Sequence, residues 1–331
     1  MRALVLKAFG GPENFELTTL PDPQVQPGTV VIKVAATSIN QLDTKIRQGL
    51  PIAPGPPVVL GSDVAGVVEA VGSGVVGLSV GDAVYGCAGG VKGSAGALAE
   101  YMLADARLLA PKPEKATMRE AAALPLVSIT AWDALTVTRV RAQDHALIHG
   151  GVGGVGHIAV QLAKVLGAKV STTVISEEAG ALARSLGADG TAVFLSETVD
   201  QYVARLTGGA GFEVVVDTVG GNNLQASFKA ARVNGRIATT NARTTQDLSL
   251  MHNKALSLSV VFMMLPLLTG SGRERHGQFL RELAGWVDAG KIRPLLDPHR
   301  FTLATAADAH RLIESGTAFG KIVVDVAPDV H

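Results

Sequence analysis

The run Ala146-Leu147-Ile148-His149-Gly150-Gly151-Val152-Gly153-Gly154-Val155-Gly156 has the residue types and spacing of an anion-binding turn. Gly151, Gly153 and Gly156 form Gly-x-Gly-x-x-Gly. The first glycine makes a tight turn, the second lets backbone approach a pyrophosphate, and the third lets a helix pack on a strand. Gly154 and Val155 complete the turn, and a helix starting there presents unpaired N–H groups to phosphate. In a chain with 38 glycines the motif gains weight only from its flanks. Val155, Ile158, Ala159, Leu162, Ala163 and Leu166 recur at helical spacing, Gly167 stops the helix, and Lys169 to Ile175 reads as the next strand. A plain αβ turn has no need of three glycines at these offsets.

Other chemistry-bearing residues sit at strand ends. The stretch Val174-Ile175-Ser176 ends the second strand, where an acid would bind a ribose 2′-hydroxyl and repel a 2′-phosphate. Ser176 stands there instead and favours NADPH. NADH remains the alternative, because Glu177 and Glu178 follow at once; acids in a first helical turn also complement the helix dipole. Asp217 closes the apolar strand Glu213 to Asp217, on the ligand-binding edge of such sheets. Tyr85 is one of three tyrosines and reads either as a proton donor or as a core residue. Cys87 is the single cysteine and has no neighbour that would activate a thiol. His149 and His157 flank the turn and read as packing or solvent residues rather than ligands.

The elements that position these residues alternate in style. The first third is β-rich, with strands at Val30 to Ala35 and Asp63 to Gly72 and a turn followed by a strand over Gly81 to Gly86, between loops rich in proline and glycine. After Lys115 helices and strands alternate, which predicts a doubly wound parallel sheet of the Rossmann type. Helices are expected at Met118 to Leu124, Ser128 to Val137 and Glu177 to Leu186, and strands at Gly235 to Thr240 and Leu256 to Phe262. A helix from Gln278 to Ala289, another from Ala306 to Ser315 and a strand from Lys321 to Asp325 close the chain. The expected division is a β-rich domain of residues 1–122 and 266–331, with a dinucleotide domain of residues 123–265 inserted in it.

Composition narrows the function classes. A chain of 331 residues exceeds what one core usually organises. Lysine plus arginine equals aspartate plus glutamate at 29 each, so no net field recruits nucleic acid or an anionic membrane. One cysteine excludes an intrachain disulfide and a four-cysteine zinc site. The start of the chain lacks the apolar core of a signal peptide, and the apolar stretch around Leu258 to Leu268 is too short to span a bilayer. The expectation is a cytoplasmic protein with a small-molecule substrate.

In order along the chain come Asn40-Gln41-Leu42-Asp43, Leu60-Gly61-Ser62-Asp63-Val64-Ala65-Gly66, Val80-Gly81-Asp82-Ala83-Val84, the glycine turn, Val216-Asp217-Thr218-Val219-Gly220-Gly221 and Gly320-Lys321-Ile322-Val323. This series resembles the medium-chain dehydrogenase/reductases, and within them the zinc-independent quinone oxidoreductases. The resemblance implies an α/β fold, a Rossmann sheet inserted in a β-rich GroES-like catalytic domain. Zinc-dependent relatives place cysteine where Asn40 stands and histidine where Ser62 stands. Amide and hydroxyl groups are poor zinc ligands, so no metal is expected.

The resemblance also implies roles. Asn40 would sit beside the nicotinamide ribose and hold a hydroxyl or a substrate carbonyl; the alternative is a turn asparagine that caps the next segment. Asp43 lies near the pocket of related enoyl reductases, or makes a structural ion pair. Thr130 would face the nicotinamide, Asn241 its amide, and Phe262 would wall it. Phe194 replaces a cofactor-contacting tyrosine. Gly320 and Lys321 would approach cofactor or substrate, against the reading of Lys321 as a solvated strand-end lysine. The implied activity is zinc-free, NADPH-dependent hydride transfer to a quinone or related electron-poor carbonyl. The alternatives are an enoyl or 2-alkenal double-bond reductase and a non-catalytic NADPH-binding structural or regulatory protein. The apolar edge from Leu258 to Met263 suggests a homodimer by sheet pairing.

Overall fold

The computed structural model describes residues 1–327, 329 and 330. Two compact units emerge, Met1–Leu126 with Met264–His331, and Val127–Met263. The first boundary falls four residues later than the sequence suggests and the second two earlier, because the helix Pro125–Val137 runs through the first.

The inserted unit is built on six parallel strands. In spatial order they are Gly190–Val193, Lys169–Val174, His145–His149, Phe212–Asp217, Ala231–Thr239 and Ser257–Val260. Strand order reverses at His145–His149, and the glycine turn leaves its carboxyl end, at the switch point where such sheets bind ligands. Val214, Val215 and Val216 have no solvent exposure, as a strand covered on both faces requires. Leu147, Phe212, Val215, Phe228 and Ile237 pack together on one side of the sheet. The edge strand stops at Val260, short of the expected Phe262, because the chain turns into the helix Leu265–Thr269.

The other unit carries a seven-stranded sheet and a three-stranded one. The long strand Thr29–Ile39 is its spine. It pairs antiparallel with Asp63–Val71 on one side, and with Tyr101–Asp105 and Ile322–Asp325 on the other. The register sets Ile322 opposite Ile39, so Lys321 reaches the end of the spine where Asn40 begins the helix Gln41–Arg47. Asp63 starts its own strand at the same end, opposite Cys87. Residues far apart in sequence therefore converge at three strand ends. No helix among the described residues is long and apolar enough to cross a membrane.

Candidate functional site

In the inserted unit the candidate cofactor residues follow the carboxyl ends of parallel strands. Gly150 takes the left-handed turn position, at φ +71°, so the tight turn precedes the motif's first glycine. Gly151 is needed for a different reason: a Cβ there would lie 2.1 Å from Thr172 Oγ1. At Gly156 it would lie 2.0 Å from the Gly150 carbonyl oxygen, so the helix can start this close to the strand only without a side chain. Gly153 is exposed, and a Cβ there would come no nearer than 3.2 Å to that oxygen. Two glycines thus build the turn, and the third leaves its outer face open. Gly154 and Val155 lead into the helix Gly156–Val165, whose N-cap Val155 supplies no side-chain hydrogen bond. An uncapped N-terminus with a bare approach suits a pyrophosphate.

Thr172 and Thr173, which sequence reading passed over, lock this turn. Thr173 Oγ1 accepts from Gly150 N at 3.1 Å and shares a hydrogen bond of 3.1 Å with His149 Nδ1, while Thr172 Oγ1 donates to Ile148 O at 2.6 Å. Burial pushes the His149 pKa down, which favours a neutral imidazole beside the turn. Ser176 caps the helix Glu177–Ser185, accepting from Ala179 N at 3.2 Å. Asn241 donates through Nδ2 to Val219 O at 3.3 Å, and Phe262 is partly exposed beyond the edge strand. Thr130 is buried in the helix Pro125–Val137.

Asp217 lies at the ligand edge as expected and is held there by four hydrogen bonds. Its Oδ1 accepts from Val219 N, Gly220 N and Asn223 Nδ2, and its Oδ2 from Ser227 Oγ at 2.8 Å. Oδ1 fastens the turn after the strand and Oδ2 the helix Asn223–Ala230, so this buried carboxylate shapes the ligand edge.

In the other unit a buried polar cluster gathers at the three strand ends. Asn40 Nδ2 donates to Asp63 Oδ2 at 2.9 Å, and Lys321 Nζ donates to Asn40 Oδ1. Lys321 Nζ also lies 3.6 Å from Asp63 Oδ2. Ser38 Oγ and the Leu126 amide complete the Asp63 carboxylate, at 2.6 and 2.8 Å. Asp43 accepts from Ser62 Oγ at 2.9 Å and from the Asn40 backbone N–H at 2.7 Å. A cation at its oxygen and an anion at its nitrogen hold the Asn40 amide one way round, since a flip would turn both contacts repulsive. At the helix start Asp43 reaches back to accept the Asn40 backbone N–H, while the Asn40 side chain is held between Lys321 and Asp63.

Lys321 is 2% exposed, which overturns its reading as a solvated strand-end residue; Gly320 before it, at φ +69°, turns the chain under the Leu295 carbonyl. Burial, then the nearby Asp63 charge, raises the Asp43 pKa to about 6. The desolvated Lys321 ammonium is pushed down, opposed by Asp63 and Asp43. Burial pushes the Cys87 thiol up, so it stays protonated and inert.

Tyr85 is not in this cluster. It has no exposed surface, its hydroxyl donates to Leu280 O at 2.6 Å, and burial drives its pKa upward. A phenol so placed has no proton to give a substrate.

Two family models match the chain: an "Alcohol dehydrogenase GroES-like domain" over residues 26–114 and a "Zinc-binding dehydrogenase" over residues 186–324. Quinone oxidoreductase of Rattus norvegicus is 32% identical, with 98% of this chain and 97% of that protein covered. The chain belongs to the medium-chain dehydrogenase/reductase superfamily, in its quinone oxidoreductase-like branch. It is an oxidoreductase. Within the family, the chloroplastic NADPH-dependent alkenal/one oxidoreductase of Arabidopsis thaliana is also 32% identical, over 99% of this chain and 80% of its own length. A crystal structure of an alcohol dehydrogenase superfamily protein from Novosphingobium aromaticivorans superposes with a TM-score of 0.94 at 39% identity, covering 98% of this chain and 99% of that one.

Proposed function

We propose that the protein is a zinc-independent, NADPH-dependent reductase of quinones or related conjugated carbonyls. When bound, NADPH supplies a hydride from its nicotinamide ring. The observation that carries this reading is the Asn40 amide, held between Lys321 and Asp63. With its carbonyl oxygen on an ammonium and one N–H on a carboxylate, the amide keeps a second N–H in a fixed direction. That N–H is read as the donor to the acceptor's oxygen, and a pre-oriented donor stabilises the charge that hydride addition places there.

The donor set argues against zinc. Ser62 and Asn40 are hydroxyl and amide, and the Lys321 ammonium beside them repels a divalent cation.

The turn from Gly151 to Gly156 is read as the holder of the dinucleotide's phosphates. Ser176 in place of an acid, and the NADPH-dependent relative, support NADPH over NADH. Thr130, Asn241 and Phe262 are read as nicotinamide neighbours.

The second acceptor class, enones and 2-alkenals, is favoured by the same relative's name and by Asp43. A carboxyl whose pKa is raised to about 6 keeps a larger protonated fraction near neutrality than an ordinary aspartate does, which suits protonation of a carbon next to a carbonyl. A homodimer through the edge strand Ser257–Val260 fits its exposed Val260, and a monomer in sedimentation would remove it.

The test is NADPH oxidation with a quinone, an enone and an alcohol-forming aldehyde, each with and without a chelator. Turnover of quinone or enone untouched by chelation supports the reading. Turnover confined to aldehydes, or lost on chelation, overturns it.

A further inference from the structure

A concave site lies in the inserted unit, at the strand ends opposite the glycine turn. It is a cleft of about 340 Å³ lined by Arg139, Arg141, Gln143, Asp144, Glu213, Arg232 and Arg236. Asp144 immediately precedes the strand His145–His149, whose other end carries Gly150, so the cleft opens at the strands' amino ends. Five residues of strand, roughly 17 Å of chain, separate it from the turn.

Its charge is unbalanced in a specific way. Glu213 Oε1 pairs with Arg232 at 2.9 Å, and its Oε2 accepts from His145 N at 2.8 Å. Asp144 Oδ2 accepts from Arg236 and from the Arg141 backbone N–H, each at 2.8 Å. Arg236 also donates to the carbonyls of Thr138 and Arg139, at 2.8 and 2.7 Å. Both carboxylates are thus used to anchor backbone and two arginines. The guanidinium groups of Arg139 and Arg141 have no hydrogen bond or ion pair among the described residues, leaving two uncompensated cations on the cleft.

The backbone around the cleft is also irregular. Arg139 sits at φ +50° with a β-carbon, a left-handed conformation that costs free energy and is held here by Arg236 on its carbonyl. Next to it the pairing of Phe212–Asp217 with Ala231–Thr239 slips between Phe212 and Val214, and the looped-out stretch between Arg232 and Arg236 contains a second left-handed residue, Asn234 at φ +58°.

We propose that this cleft is a binding site for a small polyphosphate, distinct from the dinucleotide turn. Guanidinium groups match phosphate oxygens in bidentate geometry, and two free forks suit two linked phosphates better than one. The cleft is concave and within the size range of small-molecule sites, which fits such a ligand rather than an extended polymer.

Calorimetric titration with inorganic pyrophosphate in the presence of saturating NADPH tests it, with the NADPH-free titration as the parallel arm. The expected result is one saturable site with NADPH bound, weakened about tenfold or more in Arg139→Gln/Arg141→Gln, and in the NADPH-free arm that same site beside any binding at the vacant glycine turn. The single variant Arg141→Gln, which removes a side chain with no folded-state partner, should show a smaller loss in the same direction. ADP in the NADPH arm identifies the source: tighter binding than pyrophosphate assigns a nucleotide, and equal binding assigns the bare polyphosphate. With NADPH bound, absence of saturable pyrophosphate binding, or binding unchanged in both variants, would each overturn the site. None of these outcomes depends on reductase activity, so the proposal and the functional reading fail separately.

Discussion

The glycine turn and the Asn40 cluster handle charge in opposite ways. The turn is backbone with almost no side chains. It leaves a helix N-terminus uncapped and a glycine face open, so its partial positive charge awaits a ligand. The cluster contains two carboxyl groups and an ammonium, all buried, and satisfies them internally. In the proposed reading, what it offers an acceptor is a neutral amide whose direction is fixed by charges on both sides. An anchoring site can use unpaired dipoles, because the ligand's own charge completes them. A reacting site in a dry interior needs its charges already balanced, since an unpaired ion there carries several kcal/mol of desolvation.

The comparison can be broken at its most charged point first. Lys321→Met leaves the two buried acids without their cation and should cost about 3–5 kcal/mol of unfolding free energy at neutral pH. A loss below about 1 kcal/mol in denaturant titrations means that the cluster is not electrostatically balanced.

Next comes the pH dependence of stability. The folded pKa of Asp43 lies above its unfolded value of 3.8, at about 6, so the group binds its proton more tightly when folded. Its contribution is therefore fully present below about pH 4 and is lost as pH rises through about 6, a change of about 3 kcal/mol. Between these pH values, Asp43→Asn should flatten the stability profile by that amount, and parallel profiles for variant and parent would contradict it.

At the turn, Gly156→Ala should weaken NADPH binding about a hundredfold, or about 2.7 kcal/mol, because its Cβ meets a carbonyl oxygen at 2.0 Å. Gly153→Ala should weaken it about tenfold with a smaller drop in melting temperature than Gly156→Ala, since its nearest neighbour is at 3.2 rather than 2.0 Å. Equal effects in fluorescence titration would remove the distinction between building the turn and opening it. The smallest effect is expected at Tyr85→Phe. It deletes one buried hydrogen bond to Leu280 O, about 1 kcal/mol, and leaves turnover unchanged.

The two regions also differ in how far they could be read from sequence. The turn is contiguous, and its periodic flanks gave the strand, the helix and the stop at Gly167. Within the cluster, Asn40 and Asp43 were reachable by resemblance. The role of Asp63 was not, because it depends on the register of Asp63–Val71 against Thr29–Ile39. Lys321 could be named but not placed, since only its pairing beside Asn40 buries it. Tyr85 stayed open between proton donor and core residue, and the partners of Asp217 could not be named, because residue type and strand position do not show which hydrogen bonds neighbouring turns and helices already use. The helix Val199–Thr207 was passed over although its capping box, Thr198 with Gln201, and its left-handed stop at Gly208 are visible in the sequence.

The central claim is that an amide oriented by Lys321 and Asp63 replaces a metal at the reacting carbonyl. Its most direct test is the single-turnover rate of hydride transfer from NADPH to a quinone, measured in chelator for the parent and Asn40→Ala. The account predicts a parent rate unaffected by chelator and a variant slower by about a hundredfold, with NADPH affinity retained. A variant as fast as the parent, or a parent silenced by chelator, would contradict it.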